Sequence, residues 1–161
     1  MSIKKTSFEK PLIEILDDAC ERYADRVCLQ FRDETYTYAQ VQEESTKIAE
    51  ALWAAGFTKG MHGAIYSLNS AKAFIATLGI VRAGGVWIPV NPRNAQTDNV
   101  AVLGRMGCQA FFYQKELSST VPLIDKAVDG LELAVCLDDI DGDGGFDTWL
   151  KNAPKEPVNF V

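Results

Sequence analysis

LGIVRAGGVWIPVNP, residues 78–92, holds the end of one element and the whole of the next. Residues 71–83 are almost entirely apolar and predict a helix. Gly84 and Gly85 stop it, because glycine adopts the positive φ that closes a helix C-terminus. Residues 86–90 are mostly β-branched or aromatic and predict a strand. Pro89 has no donor for a ladder, so the strand is expected to end there or to lie at a sheet edge. A helix running straight into a strand is a sheet-building unit, and the other elements are expected to stack on either side of it.

Upstream, Leu12, Ile15, Leu16, Ala19, Cys20 and Tyr23 recur at helical spacing, and Pro11 suits a first turn, so residues 11–23 predict a helix. Residues 27–31 alternate as a strand, Arg32-Asp33 turns, and residues 35–37 pair back as a small hairpin. Thr37 then caps a second helix. Gln40 completes a capping box with it, and Tyr36 and Val41 are spaced for a hydrophobic staple. Val41, Ile48, Leu52 and Ala55 form that helix's expected buried face, and Gly56 ends it. Residues 64–67 predict a strand, and Asn69 or Ser70 caps the helix at 71–83. That helix carries only Lys72 and Arg82 as charges, so it is expected to be covered on more than one side.

Downstream, residues 93–96 form a polar loop. A fourth helix starts near Thr97, with Val100, Leu103 and Met106 on one face and Gly107 closing it. Residues 110–113 predict a strand. A short helix follows, with Pro122 in its first turn and Leu123, Ile124 and Ala127 facing inward, until Asp129-Gly130 breaks it. Residues 133–137 predict a further strand. The alternation from residue 64 predicts an α/β fold, a mostly parallel sheet with helices on both faces, preceded by a helix and a small β-hairpin. Residues 1–60 are the helix–hairpin–helix lead-in, 61–137 the alternating unit, and 138–161 a tail. The tail has a turn around Phe146 and Trp149 and a proline-bounded segment at 154–157. Residues 158–161 start an extended segment, so 1–161 reads as one incomplete domain.

The 161 residues are 47% hydrophobic and 24% charged, enough for one sizeable core. The net charge of −6 and the lack of a basic run argue against nucleic acid and against a polybasic membrane patch. Residues 73–90 are the hydropathy peak, but Arg82, Gly84-Gly85 and Pro89 interrupt them, so no transmembrane segment is predicted. The N-terminus has no apolar stretch typical of a signal peptide. Cys20, Cys28, Cys108 and Cys136 form no CxxC pair and read as buried or half-buried thiols in a reducing, cytoplasmic setting. The lone histidine, His62, is a poor candidate for a catalytic base.

Several stretches mimic functional motifs. Residues 67–70, SLNS, open a helix but lack the glycines of a phosphate loop, so capping is the preferred role. Residues 139–144, DIDGDG, resemble the start of a calcium loop, but Leu150 stands where a bidentate glutamate is needed. Asp17-Asp18 and Glu43-Glu44 are expected on wet helix faces as solvated charges. Trp53, Trp87 and Trp149 are expected in core or rim packing. Taken alone, the residues describe an α/β domain with no chemistry of its own.

Two stretches carry a resemblance. Residues 35–51, TYTYAQVQEESTKIAEA, followed by LWAAGFTKG, resemble the "TY-x-E-L … A-x-x-L-x-x-x-G-x-x-x-G" motif of the AMP-forming acyl-CoA synthetase and adenylate-forming ligase superfamily. Residues 69–92, NSAKAFIATLGIVRAGGVWIPVNP, resemble its "N-S-x-x-F … G-x-x-x-A-G-x-x-x-x-P-x-N-P" motif. Tyr23-Ala24-Asp25-Arg26 matches the usual lead-in. Thr37, Gly56, Gly60, Ala83, Gly84, Gly85, Pro89 and Pro92 carry these motifs, which are structural in that family. The chain departs from it at Met61-His62-Gly63, where an acidic-basic pair is usual, and at Val41, where leucine is usual.

The resemblance implies a parent enzyme that adenylates a carboxylic acid with ATP and magnesium and passes the acyl group to coenzyme A, with fatty acid metabolism as its setting. The family's Ser/Thr/Gly-rich phosphate loop, its later adenine, magnesium and ribose motifs and its C-terminal lysine have no counterpart here. The chain is therefore expected to be an N-terminal fragment, structural and inactive. It would have no catalytic residue, metal ligand or cofactor of its own, and the missing remainder of the ligase as its partner. An acidic chain without that loop lacks the preorganised positive charge that attack on phosphorus needs. Self-association through exposed apolar surface is a further expectation. Asn69, Ser70, Asn91 and Arg93 are the candidate lining of an acyl or coenzyme A channel, because clefts form at strand and helix ends. Two other readings stand beside this one: a stand-alone binding or scaffold module without catalysis, and part of a peptide-synthetase adenylation domain. In the latter an aspartate commonly stands where Asn91 is, which favours the acyl- or aryl-CoA ligases.

Overall fold

A cap and a glycine pair set boundaries that the neighbouring elements follow. The computed structural model describes residues 10–138 and 145–153. Pro11 precedes helix α1 (Leu12–Tyr23). A hairpin of β1 (Val27–Phe31) and β2 (Glu34–Thr37) follows, with Arg32 in the left-handed region at φ 53° in its turn. At the start of α2 (Tyr38–Ala54), Thr37 Oγ1 accepts from the Gln40 N–H at 3.2 Å and Gln40 Oε1 accepts from the Thr37 N–H at 2.8 Å. This is the expected capping box. Thr37→Ala is expected to cost about 1 kcal/mol, seen as a lower urea midpoint at an unchanged slope. An unmoved midpoint would show that the box contributes no stability.

One parallel sheet holds β3 (His62–Tyr66), β4 (Val86–Val90), β5 (Cys108–Tyr113) and β6 (Leu133–Cys136) in the order β4-β3-β5-β6. The crossovers are α3 (Ala71–Arg82), α4 (Gln96–Met106) and α5 (Val121–Ala127), the last entered through a 3₁₀ turn at Lys115–Thr120. Helix α6 (Phe146–Asn152) follows β6. Strand side chains alternate between the two faces. On one face Ile65, Phe112 and Val135 pack with Ile48 and Leu52 of α2, Ala76 and Ile80 of α3, and Phe146 of α6. On the other, Ala64, Tyr66, Ile88 and Phe111 pack with Leu103 of α4 and Ile124 of α5. Helices thus cover both faces, as the alternation predicted.

The two glycines after α3 do different work. Gly84 takes the left-handed conformation, φ +81°, that ends the helix. Gly85 is needed for space: a Cβ there would lie 2.5 Å from Phe57 Cε1. Strand β4 lies at the sheet edge, as Pro89 required. The Val86 N–H donates to Met61 O at 2.8 Å, so Val86, Ile88 and Val90 turn their backbone groups toward β3. By alternation, Pro89 turns its donorless nitrogen to the open edge, where no ladder partner misses it.

Several expectations are corrected. Asp17 is not a solvated charge: its oxygens accept from Arg82 Nη1 at 3.1 Å and Arg82 Nη2 at 2.7 Å. Arg82 is 6% exposed and also donates Nε to Ser45 Oγ at 3.2 Å, so one guanidinium joins α1, α2 and α3. Ala55 and Ala127 are exposed, as are Met106 and Leu123, so none faces inward as predicted. Each lies within the last turn of its helix or just past it, except Leu123, beside the buried Ile124. The third strand runs His62–Tyr66 rather than 64–67. Ser70, not Asn69, caps α3, its Oγ accepting from the Ala73 N–H at 3.1 Å. The tail turn around Phe146 and Trp149 is a helix, with Trp149 edge-on to Phe112 at 5.6 Å between ring centroids. His62 is a structural anchor, its Nδ1 donating to the Met106 carbonyl. The acidic turn at 139–144 and the segments at 154–157 and 158–161 lie outside the described residues.

Candidate functional site

Helix α3 carries two apolar stripes. Ala73, Ala76, Ile80 and Ala83 belong to the core described above. Phe74, Thr77, Leu78 and Val81, at i, i+3, i+4 and i+7, line a separate groove. Trp87 and Pro89 of β4 form its second wall, and Leu12, Leu29 and Phe31 from α1 and the hairpin close its third side. The groove has a volume of about 780 Å³ and is mostly apolar. Phe74 is 47% exposed and Trp87 44%, so much of this apolar wall faces solvent. Helix α3 is therefore covered on its core side and open on the other.

The groove opens at the C-terminal ends of β3 and β4, where the lining turns polar. Asn69, Ser70, Asn91 and Pro92 lie along it. Arg93 does not line the groove. It lines an adjoining cleft of about 380 Å³, which shares Phe31, Ser67, Asn69 and Asn91 with the groove and adds Arg32. The structure thus brings Asn69, Ser70 and Asn91 to one groove and sets Arg93 at its mouth. Asn91 Oδ1 accepts from the Arg93 N–H at 3.0 Å, and the Asn91 carbonyl accepts from Asn99 Nδ2 at 2.9 Å, which fixes the loop that presents Arg93.

In open α/β sheets a ligand crevice is expected where the strand order reverses, here between β3 and β5. That crevice is bridged. The Leu68 N–H donates to Gln114 Oε1 at 2.7 Å, and the Gln114 N–H donates to the Tyr66 carbonyl at 3.2 Å. The open concavity falls on the β4 side of β3 instead.

Among the described residues, no carboxylate, histidine, cysteine or lysine lines the groove or its mouth. The hydroxyls are committed locally: Ser67 Oγ donates to the Leu68 carbonyl at 2.5 Å, Thr77 Oγ1 to the Ala73 carbonyl at 3.0 Å, and Ser70 caps its helix. Such a lining binds; it holds no base or nucleophile. Elsewhere burial pushes the Cys108 thiol up to about 12, against small relief from hydrogen bonds to the Ala64 and Ala110 backbone, so this cysteine is an inert core residue. Cys20 and Cys136 are also buried and Cys28 half-buried. Among the described residues no group of three or more His, Cys, Asp or Glu side chains is placed to hold a metal. No described helix is long and apolar enough to cross a membrane.

The model of the AMP-binding enzyme family matches residues 16–158, nearly the whole chain. The chain belongs to this family. Among curated AMP-binding relatives, it is 29% identical over 110 residues to a medium/long-chain-fatty-acid–CoA/3-oxocholest-4-en-26-oate–CoA ligase of Mycobacterium marinum, covering 68% of this chain and 20% of that protein. It is 27% identical over 156 residues to tyrocidine synthase 3 of Brevibacillus parabrevis, covering 96% of this chain and 2% of that one. The chain thus spans a fifth or less of these relatives' lengths. Among solved structures, a chain of Rhodopseudomonas palustris described as a long-chain-fatty-acid CoA ligase superposes with a TM-score of 0.83 at 18% identity, over 95% of this chain and 39% of that one. The NpsA N-terminal subdomain of Klebsiella oxytoca, in complex with 3-hydroxybenzoyl-AMSN, gives 0.73 at 21% identity, over 100% and 37%. At these identities the structures speak for the fold alone.

Sequence reasoning named the polar ends of the site and missed its apolar walls. The second stripe on α3 was legible as a helical repeat, and Trp87 and Pro89 as alternate residues of a strand. That Arg32 lines the same cleft as Arg93 had no local signal, because the hairpin and the β4–α4 loop are far apart in sequence.

Proposed function

We propose that this chain is the N-terminal scaffold of an ATP-dependent acid–CoA ligase, which adenylates a carboxylic acid and then forms the thioester with coenzyme A. The observation that carries this reading is the family match over residues 16–158, joined to a groove lined for binding and not for catalysis. Adenylation needs preorganised positive charge around a pyrophosphate. Among the described residues the groove's own lining carries no positive charge, so in this reading ATP, magnesium and the reacting lysine belong to the remainder of the parent. In this reading residues 1–161 are one incomplete domain, the parent is a cytoplasmic enzyme of fatty acid metabolism, and its remaining polypeptide covers the Phe74 and Trp87 wall. Asn69, Ser70, Asn91 and Arg93 then line part of the acyl or coenzyme A channel.

Peptide-synthetase adenylation domains are the second reading, and the tyrocidine synthase likeness favours it. Asn91 is the residue offered to separate the two. Its side chain accepts from the Arg93 N–H, and an aspartate would accept the same bond, so the fold tolerates either.

Two measurements test the proposal. The 161-residue chain alone is expected to show no ATP–pyrophosphate exchange with any of a panel of aliphatic and aromatic acids. Robust exchange would overturn the scaffold assignment. The product of the full coding sequence, given ATP, magnesium, coenzyme A and the same panel, is expected to release acyl-CoA and AMP. Acid-dependent exchange without any coenzyme A thioester would assign it to the peptide-synthetase type.

A further inference from the structure

Helix α1 is held to the rest of the chain at few points. Cys20 is its one buried residue, while Leu12 is 56% exposed and Ile15 43%. Backbone bonds fasten its C-terminal end. The Ala39 N–H donates to the Ala24 carbonyl at 3.0 Å and the Tyr38 N–H to the Arg26 carbonyl at 3.0 Å, which ties residues 24–26 to the start of α2. Along the helix, side-chain bonds converge on Asp17. Its Oδ1 accepts from Gln42 Nε2 at 2.8 Å, and both its oxygens take the Arg82 fork. Cys20 adds a weaker bond, its Sγ donating to the Tyr38 carbonyl at 3.3 Å. The end of α1 farthest from the fastened turn carries Leu12, which helps to close the third side of the groove.

The seam beneath α1 also differs in kind from its neighbour. Helices α2 and α3 meet with Ile48 directly over Gly79, and parting them exposes apolar surface. Helix α1 is joined to both through Asp17, whose ionic partner Arg82 is 6% exposed. Parting an ion pair returns water to both charges, which offsets much of the lost attraction. A segment with little buried apolar area and a seam that water can fill opens before the whole domain unfolds.

We propose that α1 is a hinged side wall of the groove, pivoting at residues 24–26 and latched by Asp17 on Arg82. Docked, it presents Leu12 to the groove. Undocked, it carries Leu12 away and leaves that side open. The inference goes beyond the ligase reading and needs no turnover, so its test is separate.

The buried cysteines report the motion. Cys20 lies on α1, whereas Cys108 and Cys136 lie on strands of the sheet. The 161-residue chain is labelled with iodoacetamide over a series of low urea concentrations, and mass spectrometry assigns the label to each cysteine. Cys20 is expected to react faster than Cys108 and Cys136 and with a shallower dependence on urea, because that slope follows the surface exposed by each opening. Asp17→Asn is expected to speed Cys20 labelling about tenfold without urea, the size of one charge-assisted contact. Asp18→Asn removes an exposed pair with Lys10 from the same helix; as the control, it is expected to leave the Cys20 rate unchanged. Circular dichroism checks that both variants fold, and the comparison of slopes in the unsubstituted chain stands whatever the variants do. The proposal is overturned if Cys20 reacts at the rate and slope of the two sheet cysteines, if Asp17→Asn is labelled like the unsubstituted chain, or if Asp18→Asn speeds Cys20 as much as Asp17→Asn does.

Discussion

Gly79→Ala is expected to lower the thermal unfolding midpoint by about 4–10 °C, taking an overpacking cost of ~1–3 kcal/mol and a chain of this size. Gly79 lies mid-helix, where alanine would ordinarily stabilise by about 1 kcal/mol. Here a Cβ would lie 2.3 Å from Ile48 Cγ2, 2.6 Å from Ile48 Cβ and 3.3 Å from the Ser45 carbonyl. Two of these atoms belong to a branched side chain held at its root, and the third to backbone, so none moves out of the way cheaply. The crossing of α2 and α3 is therefore set by the absence of a side chain at this position. Ile48→Ala alone leaves a cavity in the core and is expected to cost about 2–5 kcal/mol. Combined with Gly79→Ala, it makes room for the new methyl. The double variant should then be clearly less destabilised than the sum of the two single changes. Strict additivity in a thermal melt would show that the clash is not what limits Gly79.

Asp17→Ala is expected to destabilise by about 2–3 kcal/mol, somewhat below the ~3–5 kcal/mol of breaking a fully buried ion pair. The reduction reflects asymmetric burial: the Arg82 side chain is 5% exposed and that of Asp17 36%. Removing the carboxylate leaves the guanidinium buried with only Ser45 as a partner. Arg82→Met in the Asp17→Ala background removes that stranded charge and is expected to recover part of the loss in urea unfolding. A double variant worse than both single ones would refute this account. The pair also predicts a pH dependence. Burial pushes the Asp17 carboxyl up, but hydrogen bonds from Arg82 and Gln42 and the Arg82 charge outweigh it, so Asp17 titrates below its ordinary 3.8. A lowered folded value means that protons favour the unfolded chain. This contribution is complete above the ordinary value and is lost as the pH falls through the folded one. The stability difference between the parent chain and Asp17→Asn should therefore shrink at acid pH and be flat near neutrality.

What the sequence made legible was what neighbouring residues dictate. The Thr37–Gln40 box, the Arg32-Asp33 turn and the Gly84 stop are each written within a few positions, and all three stand in the structure. The parallel sheet followed from the alternation of elements, and the edge position of β4 from Pro89 alone. The Asp17–Arg82 pair escaped because its partners are 65 positions apart and each, taken alone, looks like a surface charge. Met106 and Ala127 were misplaced because helical periodicity says which residues share a face, not how far the neighbouring layer extends past a helix end. The binding region was read from its polar rim. Its hydrophobic walls looked like ordinary core, since the same stripe of α3 fits either role until the third dimension shows one side uncovered.

The outward nitrogen of Pro89 has a consequence for the behaviour of many copies together. An exposed border strand normally invites a stray chain to zip on, and that stacking seeds fibres. Here the seam would miss one bond at its middle, and a bulky indole stands two positions before the gap. Zipping is thus discouraged while sideways contact is left open. Whatever comes to rest along this flank is selected through its side chains and not through its main chain.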